Sequence, residues 1–196
     1  MIIEGLVSTR NADGRSNVAP QGPIVHGEFD ALHFRPFPGS VTYENLKRTR
    51  CGVFHVVDDV LLLVQTALDL PHDPPAVETA AVIDGDVLLD CCRWYEFEID
   101  SIHETGERPL MIGRCVHTGR RRYSLGFYRA RHAVIEATIA ATRLQFLPIA
   151  DVRAELERCQ TRVDKTGGPR EQLALRLVRN YVEARTTAEL TSPESL

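Results

Sequence analysis

Along the first 38 residues, apolar and β-branched positions come in short runs cut by turn residues, which predicts strands rather than helices. Residues 3–9 form one such run, Asn11-Ala12-Asp13-Gly14 supplies a turn with a glycine for positive φ, and 16–22 resumes an extended segment, so a hairpin is expected. Pro20 and Pro23 cannot donate to a ladder, which puts the second strand at an edge or bulge with backbone groups left free. A third strand is expected over 31–37. After Pro38-Gly39 the spacing changes. Ser40 is a good N-cap, and Val41, Tyr43, Leu46 and Lys47 fall at near-helical spacing, predicting a short helix over 41–50. A buried strand over 51–57 follows, then a second short helix capped by Asp58 or Asp59, with Leu61, Val64, Gln65 and Leu68 on one face.

Prolines make a loop of 69–76, and Val82-Ile83 and Val87-Leu88-Leu89 read as a strand pair around Asp84-Gly85-Asp86. The clearest alternation sets Tyr95, Phe97 and Ile99 against Glu96, Glu98 and Asp100, predicting a strand with one apolar face and one acidic, solvated face. Its partner strand is expected over 110–117. From Tyr128 the period becomes helical. One long helix is expected over 128–147, and a second carries Val152, Leu156, Cys159 and Val163 on one face. Gly167-Gly168-Pro169 ends that helix and opens a third with Leu173, Leu177, Val178 and Tyr181 buried. The fold class is therefore mainly β with a helical extension (α+β). A β domain is expected over 1–126, a C-terminal helical subdomain over 127–187 and a flexible tail over 188–196.

Composition narrows the class. Hydrophobic residues are 43% and charged residues 26% of 196, which excludes disordered and collagen-like chains. Apolar runs fall far short of the roughly 20 residues a membrane span needs. The N-terminus lacks the ordered parts of a signal peptide, so a cytoplasmic protein with no membrane partner is expected. Five cysteines, an odd number without Cys-x-x-Cys, match neither a disulfide framework nor a zinc motif. The adjacent Cys91 and Cys92 read as small buried thiols that would point to opposite faces on a strand.

Common catalytic signatures are absent, including Walker-type and Gly-x-Gly-x-x-Gly loops, Gly-x-Ser-x-Gly and His-Glu-x-x-His. Arg129, His132 and Glu136 share a helical face; a salt-bridged surface accounts for them better than an anion or metal site, so no metal is expected. Of 23 basic residues only Lys47 and Lys165 are lysine, and the segment 114–132 holds six arginines and no acid. Three of them, Arg120-Arg121-Arg122, are adjacent, which ordinarily marks a solvated turn. A phosphate-bearing cofactor or single-stranded nucleic acid stacking on Tyr123, Phe127 and Tyr128 are the functional alternatives. A net charge of −4 speaks against nucleic acid.

The most suggestive stretch is 16–55. An edge strand interrupted by prolines precedes Arg35-Pro36-Phe37 and a capped helix start at Ser40. Free N–H groups there favour a phosphate, with Ser40, Thr42 and Arg35 as further donors, and open backbone around 19–22 could meet the polar edge of a flat ring.

Three blocks, Asn17-Val18-Ala19-Pro20-Gln21-Gly22, Ser40-Val41-Thr42-Tyr43-Glu44-Asn45-Leu46 and Cys51-Gly52-Val53-Phe54-His55, resemble the FMN-binding split barrels related to flavin reductases. Ile3-Glu4-Gly5 and the block from Gly126 through Phe127-Tyr128-Arg129-Ala130-Arg131-His132 to Ala137 are similar to domain-of-unknown-function family 447 within that superfamily, and the likeness runs from residue 2 to about 185. The resemblance implies a six-stranded FMN-binding split β-barrel followed by the C-terminal helical subdomain, forming a homodimer with FMN at the subunit interface. It sets Ala19, Pro20, Gln21 and Gly22 along the isoalloxazine, and Arg35, Phe37, Ser40 and Thr42 around the ribityl phosphate. His55, where relatives often carry asparagine, is a further cofactor-binding candidate. No catalytic acid or base is singled out. The implied function is an FMN-dependent, flavin reductase-like oxidoreductase passing electrons or hydride through flavin N5, with NAD(P)H as candidate donor. A non-catalytic flavin carrier and an arginine-driven nucleic-acid binder are the alternatives.

Overall fold

Asn11 and Gly14 close the first hairpin as their residue types dictate: Gly14 takes φ +83°, and the Asn11 N–H donates to the Arg15 carbonyl at 2.8 Å. In the computed structural model, which describes residues 1–124 and 126–191, this turn joins β1 (Gly5–Arg10) to β2 (Ser16–Gln21). There follow β3 (Ile24–His26), β4 (Ala31–Phe34), α1 (Val41–Thr49), β5 (Cys51–Val56) and α2 (Val60–Ala67). Next come β6 (Val77–Thr79), β7 (Asp86–Leu88), β8 (Arg93–His103) and β9 (Leu110–Arg120). The chain ends in α3 (Arg129–Ala141), α4 (Ile149–Thr166) and α5 (Pro169–Thr191). It divides into two compact units, one of Met1–Asp59 with Asp73–Ser124, the other of Val60–His72 with the described part of 125–196.

The first unit is an antiparallel sheet in the order β2-β1-β5-β8-β9-β4-β3, with β6-β7 as a separate pair. The resemblance implied six strands and the sheet has seven. The extra one, β3, is three residues between Pro23 and Gly27, too short for an alternation to reveal. Its position is structural. Ile2 bridges Ile24, the Val25 N–H donates to the Met1 carbonyl at 2.7 Å, and the Ile3 N–H to that of Pro23 at 3.3 Å. The lead-in to β1 thus meets the far end of the sheet, curling it into a half-barrel with β2 left as an edge strand. Inside lie Val7, Leu32, Phe34, Leu46, Phe54, Phe97 and Met111, all fully buried. Phe34 meets Phe97 with ring centroids 4.7 Å apart.

Two expectations for this unit fail for one reason. Glu96 is not on a solvated face but fully buried, where its carboxylate accepts the N–H groups of Ala81 (2.9 Å), Val82 (2.8 Å) and Ile83 (3.3 Å). A bulge between Glu96 and Phe97 interrupts the alternation. The same loop explains why Val82-Ile83 is not a strand: its amides turn to the carboxylate, and the pair is instead Val77–Thr79 with Asp86–Leu88. Cys91 and Cys92 are both buried, on the approach to β8 rather than on a strand.

The helical unit packs Val64, Ala130, Val134, Ala137, Leu156, Cys159, Val163, Val178 and Val182 into its own core. The long helix expected over 128–147 stops at Ala141; residues 142–147 turn instead, the Arg143 N–H tightening onto the Ala140 carbonyl at 3.1 Å, and Pro148 then heads α4. The buried stripe of α5 is rotated from the expected one: Ala174, Leu175, Val178 and Val182 are buried and Leu173 is exposed, the small Ala174 allowing close approach. Backbone helix continues to Thr191 into the expected tail, whose residues 192–196 lie outside those described. No described helix is long and apolar enough to cross a membrane.

Candidate functional site

At the entry to α1, Gly39 takes φ +75°, which reverses the chain so that Ser40 can cap. The Ser40 hydroxyl accepts from the Tyr43 N–H at 3.2 Å, as its position before the helix predicts. The N–H groups of Val41 and Thr42 precede the first intrahelical bond, so helix geometry gives them no partner in α1. Phe37 and Val41, on either side of the cap, are 61% and 54% exposed. Arg35, just after β4, is exposed and forms no ion pair among the described residues.

Thr42 faces inward. It is buried, and its Oγ1 accepts from Asn17 Nδ2 at 3.1 Å. Asn17 also donates to Thr9 at 3.2 Å, Asn45 donates to Thr9 at 3.1 Å and to Asn11 at 2.7 Å, and Arg48 donates to Asn45 at 3.0 Å. This network fastens β2, β1 and α1 together. It brings the edge strand carrying Ala19, Pro20 and Gln21 beside the helix start carrying Ser40 and Thr42. In β2, Ala19 pairs with Val7, Pro20 with Leu6 and Gln21 with Gly5; all three are half-buried, and Gly22 is exposed. Pro20 interrupts hydrogen bonding where the edge position tolerates it.

His55 stands apart. Its ring is fully buried, Nδ1 lies 3.2 Å from the Leu6 carbonyl, and Nε2 accepts the Leu88 N–H at 3.1 Å. These partners fix the tautomer with the proton on Nδ1. Burial pushes the imidazole down to about 3, opposed by the Leu6 hydrogen bond and reinforced by Arg121. The side chain therefore stitches β5 to β1 and β7 and keeps no free polar atom for a ligand.

The arginine run has structural partners. Arg121 pairs with Glu78; Arg122 pairs with Asp58 and, at 2.7 Å, with Asp90, and donates to the Cys91 carbonyl at 3.1 Å. Arg114 pairs with Glu98 at 2.9 Å. Arg120 lies over the Tyr123 ring, 4.5 Å from its centroid. Two of the three guanidiniums in the run thus have acid partners, as Arg114 does, unlike the free basic stripe that nucleic acid requires. Arg129, His132 and Glu136 are all exposed on α3.

Sequence reasoning missed two contributors. Asn17 heads a quoted block, yet nothing in the sequence says its amide reaches Thr42. Arg108 gave no signal at all; its guanidinium carbon sits 3.6 Å from the centroid of the Phe37 ring.

A curled antiparallel half-barrel whose edge strand meets a capped helix start is the architecture of a split-barrel protein. Residues 3–122 match the family described as protein of unknown function (DUF447) N-terminal domain, and 128–180 match protein of unknown function (DUF447). The chain belongs to the DUF447 family. An FMN-bound DUF447 protein from Methanosarcina mazei is 26% identical with a TM-score of 0.80, covering 92% of this chain and 94% of that one. BorF, the flavin reductase component of a bacterial two-component tryptophan halogenase, is 14% identical with a TM-score of 0.53, covering 63% of this chain and 82% of that one. A Thermus thermophilus FMN-binding protein with bound p-hydroxybenzaldehyde is 16% identical with a TM-score of 0.52, covering 64% and 75%. The last two are alike in fold.

Proposed function

We propose that this protein binds FMN where β2 meets the first turn of α1 and acts as an oxidoreductase, with a reduced nicotinamide as electron donor. The observation that carries the reading is the Asn17–Thr42 hydrogen bond at 3.1 Å, which holds a free strand edge beside a capped helix start. The residues present suit the group. Among the described residues Arg35 has no carboxylate partner, and the amides of Val41 and Thr42 suit a phosphate. Half-buried Ala19, Pro20 and Gln21 suit a flat ring. When bound, FMN supplies the electron-accepting and electron-donating ring, leaving the chain to bind it, orient it and exclude water.

In this reading Ser40 and Gly39 shape the helix start, Arg35 supplies charge, and Phe37 screens the phosphate end from water. Thr42 acts through its backbone amide while its hydroxyl locks the site to β2. The exposure of Phe37 and Val41 beside the site supports a second subunit covering the flavin, as a homodimer. Support also comes from the M. mazei relative, which is FMN-bound. The test is anaerobic mixing of the FMN-loaded protein with NADH or NADPH. Bleaching of the bound flavin within seconds supports an oxidoreductase; bound flavin that stays oxidised with both donors contradicts the nicotinamide-dependent activity and favours a carrier.

A further inference from the structure

The β8–β9 hairpin loop lies across the start of α1. It is held at one end by Glu104, which accepts from the Tyr43 hydroxyl and pairs with Lys47 at 2.8 Å. At the other end is Arg108, stacked over Phe37 with its guanidinium carbon 3.6 Å from the ring centroid. The register dictates this meeting. Phe34 pairs with Met111 across β4 and β9, and carrying that antiparallel count three residues onward sets Phe37 opposite Arg108. Arg108 is exposed, and no described carboxylate pairs with it, although Glu104 and Glu107 are in the same loop. Arginines 114, 121 and 122 elsewhere in this unit each have an acid. Among the described residues, a guanidinium on an exposed aromatic ledge, near amides that have no partner within α1 and on a ring two residues after Arg35, which likewise has no ion pair, is a cation without its anion.

We propose that Arg108 is a specificity-determining residue of this site, supplying from the hairpin loop a second guanidinium to the cofactor's phosphate and so selecting phosphorylated over unphosphorylated flavin. The inference rests on the FMN reading above. Phe37 sets the plane of the guanidinium, leaving its N–H edge free for a two-point contact with phosphate oxygens. The Glu104 contacts keep the loop from swinging away.

Fluorescence titrations with FMN and with riboflavin on the wild type, Arg108→Ala and Arg108→Lys test it, with melting curves confirming that each variant folds. Loss of a charge-assisted phosphate contact should weaken FMN binding by Arg108→Ala about tenfold or more, with riboflavin changed less than about twofold. Arg108→Lys should recover part of the loss by restoring charge without the planar fork. Unchanged FMN affinity in Arg108→Ala, or equal losses for FMN and riboflavin, overturns the role of Arg108 while leaving the FMN reading intact. Wild-type protein that binds neither flavin overturns both.

Discussion

Asn17 Nδ2 donates to Thr42 Oγ1 at 3.1 Å, joining an edge strand to the first turn of a helix 25 residues further along the chain. The same amide reaches Thr9 at 3.2 Å, so one side chain fixes three elements. Asn17→Ala should cost about 1–2 kcal/mol of stability, and Thr42→Val less, because valine leaves Asn17 its bond to Thr9. In a double-mutant cycle by urea unfolding, the pair should couple by about 0.5 kcal/mol or more. Strict additivity would mean the bond does not hold the two elements together.

Arg35→Ala should weaken FMN more than riboflavin, by about tenfold for a lost charge-assisted contact. Paired titrations of both flavins read this directly, and equal losses would show that Arg35 does not meet the phosphate.

Glu96→Ala removes the acceptor of three backbone N–H groups and strands those that stay buried. Unfolding should become easier by about 2–3 kcal/mol or more, with the 80–85 loop losing hydrogen-exchange protection. A change under about 0.5 kcal/mol would mean that the buried carboxylate does not organise that loop.

The stability of the protein should fall as pH drops below about 6.5. The native state holds His55 neutral, its pKa down to about 3, while the unfolded chain takes the proton at the ordinary value of 6.5. Between those values the unfolded state binds the extra proton, so stability declines toward acid by up to about 1.4 kcal/mol per pH unit. Burial, with His26 close by, lowers His33 in the same direction. Urea midpoints at pH 7 and pH 5 should differ in the wild type and differ less in His55→Gln. Equal pH slopes in the two proteins would exclude His55 as the source.

Local chemistry was legible wherever it acts on neighbours in sequence. Gly14, the Ser40 cap, the edge placement of Pro20 and the Val152, Leu156, Cys159, Val163 stripe follow from residue types and spacing. What escaped depends on pairing between distant segments. Glu96 looks solvated until a bulge and a loop 13 to 15 residues upstream place three amides on it. The three residues of β3 gain strand character from pairing with β4, Ile24 with His33 and His26 with Ala31, while Ile2 and Met1 meet them from the other side. In the sequence His55 is a cofactor-binding candidate and Arg108 carries no signal. Only the register across β1, β5, β7 and across β4, β9 makes one a buried stitch and the other an exposed cap.

If the meeting of β2 and α1 holds a phosphorylated flavin, FMN must stabilise the native state, the only state that binds it. The most direct measurement is therefore the melting temperature of purified protein with and without excess FMN, alongside Asn17→Ala. FMN should raise it in the wild type and much less in the variant. A wild-type melting temperature that does not move with FMN, in protein whose spectrum shows no flavin already bound, would contradict flavin binding at this site.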